Sequence, residues 1–168
     1  MDIFQQLVSA WTPAGSTNNS SSNSSKSVTP SSSEIESYIL SGVNKRRQEL
    51  SLRFVAMDAE LSKLALAHSR WMNQTGITSH AGWEDWRSQN VQKLGYKTAG
   101  ENLAGGECYD YELSEQLQLL VPRWIGSPGH RKVIETASFT HTGIGFVVSR
   151  FNDQEDRLAY FVTQIFAG

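Results

Sequence analysis

The chain has 168 residues, 39% of them hydrophobic, and 15 basic against 17 acidic side chains leave a net charge of −2. That is enough apolar material for one packed domain, and the near-neutral balance excludes the basic face a nucleic-acid binder needs to displace counterions. A single cysteine, Cys108, excludes an intrachain disulfide.

Residues 1–15 form a short N-terminal segment. Ile3, Phe4, Leu7, Val8 and Trp11 recur there at helical spacing, but the run is too short to span a bilayer, so no transmembrane segment is expected. It also lacks the basic start, continuous apolar core and small-residue cleavage site of a secretory signal. The alternatives are a frayed terminus, surface docking through residues 1–11 onto a partner or a membrane surface, or an incomplete export signal. Residues 16–33 are dominated by serine and asparagine, with Val28 the one apolar side chain. Such a run buries too little apolar surface to offset chain entropy and reads as a flexible linker. Residues 34–168 are the domain.

Within the domain, Ile35, Ile39, Val43 and Leu50 predict a first helix over 33–50, capped by Ser33. Its Lys45-Arg46-Arg47 cluster reads as a solvated face near the helix C-terminus. Asp58 caps a second helix whose stripe of Leu61, Leu64, Ala65, His68 and Met72 ends at Gly76. On that stripe His68 is expected as a packed, hydrogen-bonded core residue. A polar loop over 73–83 carries His80, and a short helix over 85–94 stops at Gly95.

Gly100 to Gly106 reads as a short strand in which alternation sends Glu101 and Leu103 to one face and Asn102 to the other. A half-buried Glu101 must be paired, hydrogen-bonded or metal-bound. Asn102 is expected to bond the backbone of a turn. A helix over 110–126 places Leu113, Leu117, Leu120 and Trp124 on one face, kinked or restarted at Pro122. Ser127-Pro128 forms an N-cap and N1 pair that starts another helix over 128–135, with His130 in its first turn. Free N–H groups there favour a neutral imidazole, the state a metal requires. The runs 140–148 and 157–166 predict an antiparallel hairpin around an acidic tip at 152–156, which lacks the spaced ligands of an EF-hand calcium loop. His141 stands at the start of the first arm. The class is α+β.

His80, Glu101 and His130 are the scarce chemistry of this chain. Two imidazoles and a carboxylate suit a divalent metal, zinc above all, although their spacing matches no local His-Glu-x-x-His motif.

The order of segments resembles the CAP superfamily, also called the SCP or pathogenesis-related-1 family. The likeness runs through Val43-Asn44-Lys45-Arg46-Arg47, Asp58-Ala59-Glu60-Leu61, Ala65 to Ser69, His80, Gly100-Glu101-Asn102-Leu103-Ala104, Trp124 to Arg131, Gly143 to Phe146 and Tyr160 to Gly168. The form Trp-x-x-Ser-Pro-Gly-His-Arg is similar to the bacterial branch, which lacks disulfides. The resemblance implies a three-layer α-β-α sandwich around a mainly antiparallel sheet, with extracellular or envelope placement. It implies a cleft in which His80, His130 and Glu101 hold a metal, supported by Asn102, Trp124, Ser127 and Arg131. The family's second cleft glutamate falls on Ser127, which leaves Glu101 as the one carboxylate, either metal ligand or catalytic base. Glu84 or Glu107 could replace the missing group if their loops fold inward. Three readings follow: a domain that binds a ligand, lipid or protein partner in the cleft, a metal-assisted hydrolase, and a surface adhesion module on a tether.

Overall fold

The computed structural model describes residues 30–151 and 154–168. The N-terminal docking segment, nearly all of the linker and the first part of the acidic tip therefore lie outside the described residues.

Helix α1 spans Ser32–Glu49. Its cap is Ser31 rather than Ser33, because Ser31 and Glu34 satisfy each other's backbone N–H groups in a capping box. Strand β1 is only Ala56–Met57, and helix α2 spans Ala59–Thr75 between the Asp58 cap and Gly76, whose φ of 70° closes the helix. A π-helical turn at Trp83–Arg87 leads into α3, Ser88–Lys93. Strand β2, Ala99–Tyr109, is longer than its glycines suggested, since it pairs along its whole length with the last strand.

A 3₁₀ turn at Asp110–Glu112 precedes α4, Leu113–Gln118, and α5, Leu120–Gly126. The break falls at Leu119, so Pro122 sits in the first turn of α5, where its missing N–H costs nothing. Helix α6 is Pro128–Ile134, and β3, His141–Phe151, and β4, Gln154–Ala167, form the hairpin.

The sheet order is β1-β3-β4-β2. Strands β2 and β3 run antiparallel to β4, and the two residues of β1 pair parallel with His141 and Thr142 of β3. The sheet is mixed, with its antiparallel pairs dominant.

Alternation along β4 builds the three layers. Leu158, Tyr160, Val162 and Phe166 face Ile35, Ile39 and Val43 of α1 and Leu117, Trp124 and Ile134 of α4 to α6. On the other face, Ile165 and Ala167 pack with Leu61 and Ala65 of α2 and Val91 of α3, while Phe161 and Leu103 pack with Met72. Helix α2 approaches β3 closely because Gly143 and Gly145 carry no side chain. A Cβ on either would stand 2.2 Å from α2 backbone atoms.

The basic cluster of α1 is also corrected. Arg47 is fully buried rather than solvated, and donates to the carbonyls of Arg53, Ile134, Thr136 and Phe139 at 2.7–3.0 Å. Ile134 ends α6, so the guanidinium answers carbonyls left over at that helix terminus. Arg46 is paired with Glu135 and Glu49.

Candidate functional site

Two elements bring the site together. Strand β2 turns Glu101 toward the α2 side of the sheet, and the loop after α2 lies across β2. Gly105 makes that crossing possible, since a Cβ there would stand 2.3 Å from the Thr78 hydroxyl. The loop thereby sets His80 over Glu101, with His80 Nδ1 2.9 Å from Glu101 Oε1. The His80 side chain is 57% exposed and the Glu101 side chain 1%.

The buried carboxylate is held by Arg87, a residue the sequence reading passed over. Arg87 Nε donates to Glu101 Oε2 at 2.5 Å and Nη2 to Oε1 at 2.8 Å, a two-pronged ion pair closed to solvent. The remaining donors reach the His80 loop and α2. Nη1 bonds Ala81 O at 2.8 Å and His68 Nδ1 at 2.9 Å, and Nη2 reaches His80 O at 3.3 Å.

Because the guanidinium can only donate, His68 Nδ1 is the acceptor. His68 Nε2 then carries the proton and donates to Ser79 O at 2.9 Å. Burial, then the charge of Arg87, lowers the His68 pKa and keeps the ring neutral. His68 is thus the packed, hydrogen-bonded residue expected of it, and it stacks on Trp71.

His130 enters from the other side of β2. Asn102, fully buried, donates through Nδ2 to His130 O at 3.1 Å, and Trp124 donates to Leu103 O at 2.9 Å, which ties α5 and α6 to the strand. Asn102 bonds a backbone as expected, but from within a strand rather than a turn.

The His130 ring is half-buried beside Trp124, with centroids 6.3 Å apart. Its pKa is lowered first by burial and then by the charge of His80, so the imidazoles of His80 and His130 share one electrostatic neighbourhood. The helix terminus argues for neutrality at this position; desolvation is the larger cause.

Ser127 occupies the N-cap position before Pro128, but its side chain makes no capping bond; its carbonyl accepts from Arg131 N. Arg131 is half-buried on α6 next to His130. Glu107 lies about 20 Å from Glu101 along β2, at roughly 3.3 Å per residue, and pairs with Arg157. Glu84 is exposed on the π-helical turn, and His141 packs beside Tyr96 at the start of β3. Among the described residues, no three His, Cys, Asp or Glu side chains stand together closely enough to hold a metal ion. A separate groove of about 480 Å³ opens between α1 and α2 and shares none of the cleft residues.

Residues 40–166 match the cysteine-rich secretory protein family, CAP. The chain belongs to that family. Among its relatives, the uncharacterized protein YkwD of Bacillus subtilis is 34% identical over 130 residues, which are 76% of this chain and 48% of YkwD.

The CAP chain also superposes on an extracellular SCP-domain protein from Bacillus anthracis, with a TM-score of 0.61 at 26% identity over 80% of this chain and 40% of that one. Against an outer surface protein of Borrelia burgdorferi, the TM-score is 0.64 at 18% identity, over 82% and 95% of the two chains. It spans about half the length of YkwD. These likenesses bear out the three-layer fold, and no described helix is long and apolar enough to cross a membrane.

Arg87 had one legible signal. It sits one helical turn after Trp83 in a segment with a stop at Gly95, but nothing local distinguishes it from the surface arginines around it. Its partners lie 6 to 19 positions away in sequence, which no periodicity reveals.

Proposed function

We propose that this CAP domain works outside the cytoplasm, at the cell surface or beyond it, and uses the His80–His130 cleft to bind a divalent metal, zinc foremost, together with a ligand or partner. The observation that carries this reading is the orientation of His80. Its Nδ1 is tied to a carboxylate that is itself ion-paired, so Nδ1 bears a proton and Nε2 is the nitrogen that an exposed ring offers to a metal. That is the arrangement of a metal-binding histidine with a carboxylate behind it. His130 is neutral for the reasons given and is suited to be the second ligand.

When bound, the metal supplies a Lewis acid with open positions for a ligand's oxygen or nitrogen atoms. The residues of this chain orient the ligands: Glu101 holds His80, Asn102 holds the helix that carries His130, and Trp124 ties the preceding helix α5 to the strand. Both oxygens of Glu101 are already engaged, which supports an orienting role over a third ligand or a base for water. Binding is therefore favoured over hydrolysis. The extracellular SCP-domain relative from B. anthracis supports the placement.

The test is calorimetric titration of zinc into metal-stripped protein beside His80→Ala and His130→Ala, with melting temperatures for each. Binding by the wild type that is lost in both folded variants is expected. No binding by the wild type, or full binding by both variants, would sink the reading.

A further inference from the structure

We infer that Arg87 is the positioning residue of the cleft: its guanidinium fastens the His80 loop to the Glu101 strand and thereby fixes the tautomer His80 presents. The inference rests on the metal-binding reading for its consequence, but its geometry stands apart from it.

Arg87 is 1% exposed, and all five of its N–H groups are spoken for. Two go to the Glu101 carboxylate, two to the carbonyls of His80 and Ala81, and one to His68 Nδ1. Three separate pieces of chain meet at this one planar group: β2, the loop after α2, and α2 itself. The loop is otherwise short of anchors to the sheet. His68 holds Ser79 O, and the Thr78 side chain rests against Gly105.

The chemistry of the donors then decides what His80 does. A guanidinium facing both carboxylate oxygens keeps Glu101 acceptor-only, so the His80–Glu101 bond requires its proton on His80 Nδ1. It also fixes where the acceptor stands, because a fork of two parallel bonds holds the plane of the carboxylate as well as its position. A lysine would keep the charge and lose the fork. It could not span Glu101, two carbonyls and His68 at once, so the His80 loop would loosen and the imidazole would sample both tautomers. His68 completes the device, since a neutral ring with its acceptor turned toward Arg87 takes the fifth donor without adding a second charge.

The experiment uses the full chain labelled with ¹⁵N. Long-range ¹H–¹⁵N spectra at neutral pH read the His80 tautomer, the protected Nε–H resonance of Arg87 is followed in the same sample, and zinc is titrated separately. In the wild type, His80 is expected as the Nδ1–H form with a slowly exchanging Arg87 Nε–H. In Arg87→Lys, with its fold verified by its amide spectrum, a mixed tautomer and about a 10–100-fold weaker zinc affinity are expected.

An unchanged tautomer and unchanged affinity in folded Arg87→Lys would overturn the inference. If the wild type binds no zinc yet the tautomer still shifts in the variant, the clamp stands and the metal reading fails. Should Arg87→Lys not fold, the wild-type spectra decide: a mixed His80 tautomer or a freely exchanging Arg87 Nε–H overturns the inference, and their opposites sustain it.

Discussion

His68 and His130 are neutral in the folded protein for related reasons. Burial disfavours the charged ring in both, and a neighbouring basic side chain, Arg87 for one and the His80 imidazole for the other, adds to it. Both folded pKa values lie below the ordinary 6.5, so the unfolded chain takes up these protons first. The stability contributed by the neutral rings is fully present above about pH 6.5 and is lost as pH falls from there through the folded values. Urea melts between pH 7.5 and 5 are expected to show falling stability, with a shallower fall in His68→Gln. A flat profile in the wild type would contradict this.

Arg47 is the second buried guanidinium, and it has only carbonyls for partners. Arg47→Met keeps the bulk but orphans four oxygens, and should cost roughly 3–5 kcal/mol in chemical denaturation. A loss below about 1 kcal/mol would mean that water reaches these carbonyls.

The elements owe their ends to local chemistry and their approach to glycine. Ser31→Ala breaks the capping box of α1 and should cost about 1 kcal/mol. Glycines separate into two kinds here. At Gly145 a Cβ meets the α2 backbone at 2.2 Å, so Gly145→Ala forces α2 off the sheet and should cost at least the roughly 1–3 kcal/mol of ordinary overpacking. At Gly126, in the last turn of α5, a Cβ meets nothing within 4 Å, and Gly126→Ala should instead stabilise by about 0.4–1 kcal/mol. Equilibrium unfolding of the pair checks both signs together. Equal effects would mean that the α2–β3 approach can give way.

At the scale of the whole molecule, β4 is the shared spine. Its alternate residues supply both cores, Phe166 on one face and Ile165 on the other, each fully buried. Neither helical layer has a sheet face of its own to keep if the strand lets go. Tryptophan fluorescence and far-UV circular dichroism should therefore report one coincident transition. Phe166→Ala and Ile165→Ala should each lower it, by about 3–5 and 2–5 kcal/mol respectively. Two separable transitions would show that the layers fold apart.

Much of this was legible in the sequence. Asp58 and Gly76 bounded α2, alternation placed Glu101 and Asn102 on opposite faces of β2, and Ser127-Pro128 started α6. These features act over a few residues, through caps, periodicity and a proline ring, so the chain displays them directly. The order of the family's segments carried the fold further than spacing could. What the sequence left open was the fate of its charges. Arg47 and Arg87 look like their solvated neighbours, yet both are buried, because each finds acceptors on segments that meet only after folding. A buried guanidinium is stable only where several oxygens converge on it from different directions. Residue identity supplies the donors, while the crossing of the His80 loop over β2 and the docking of α6 against α1 supply the acceptors.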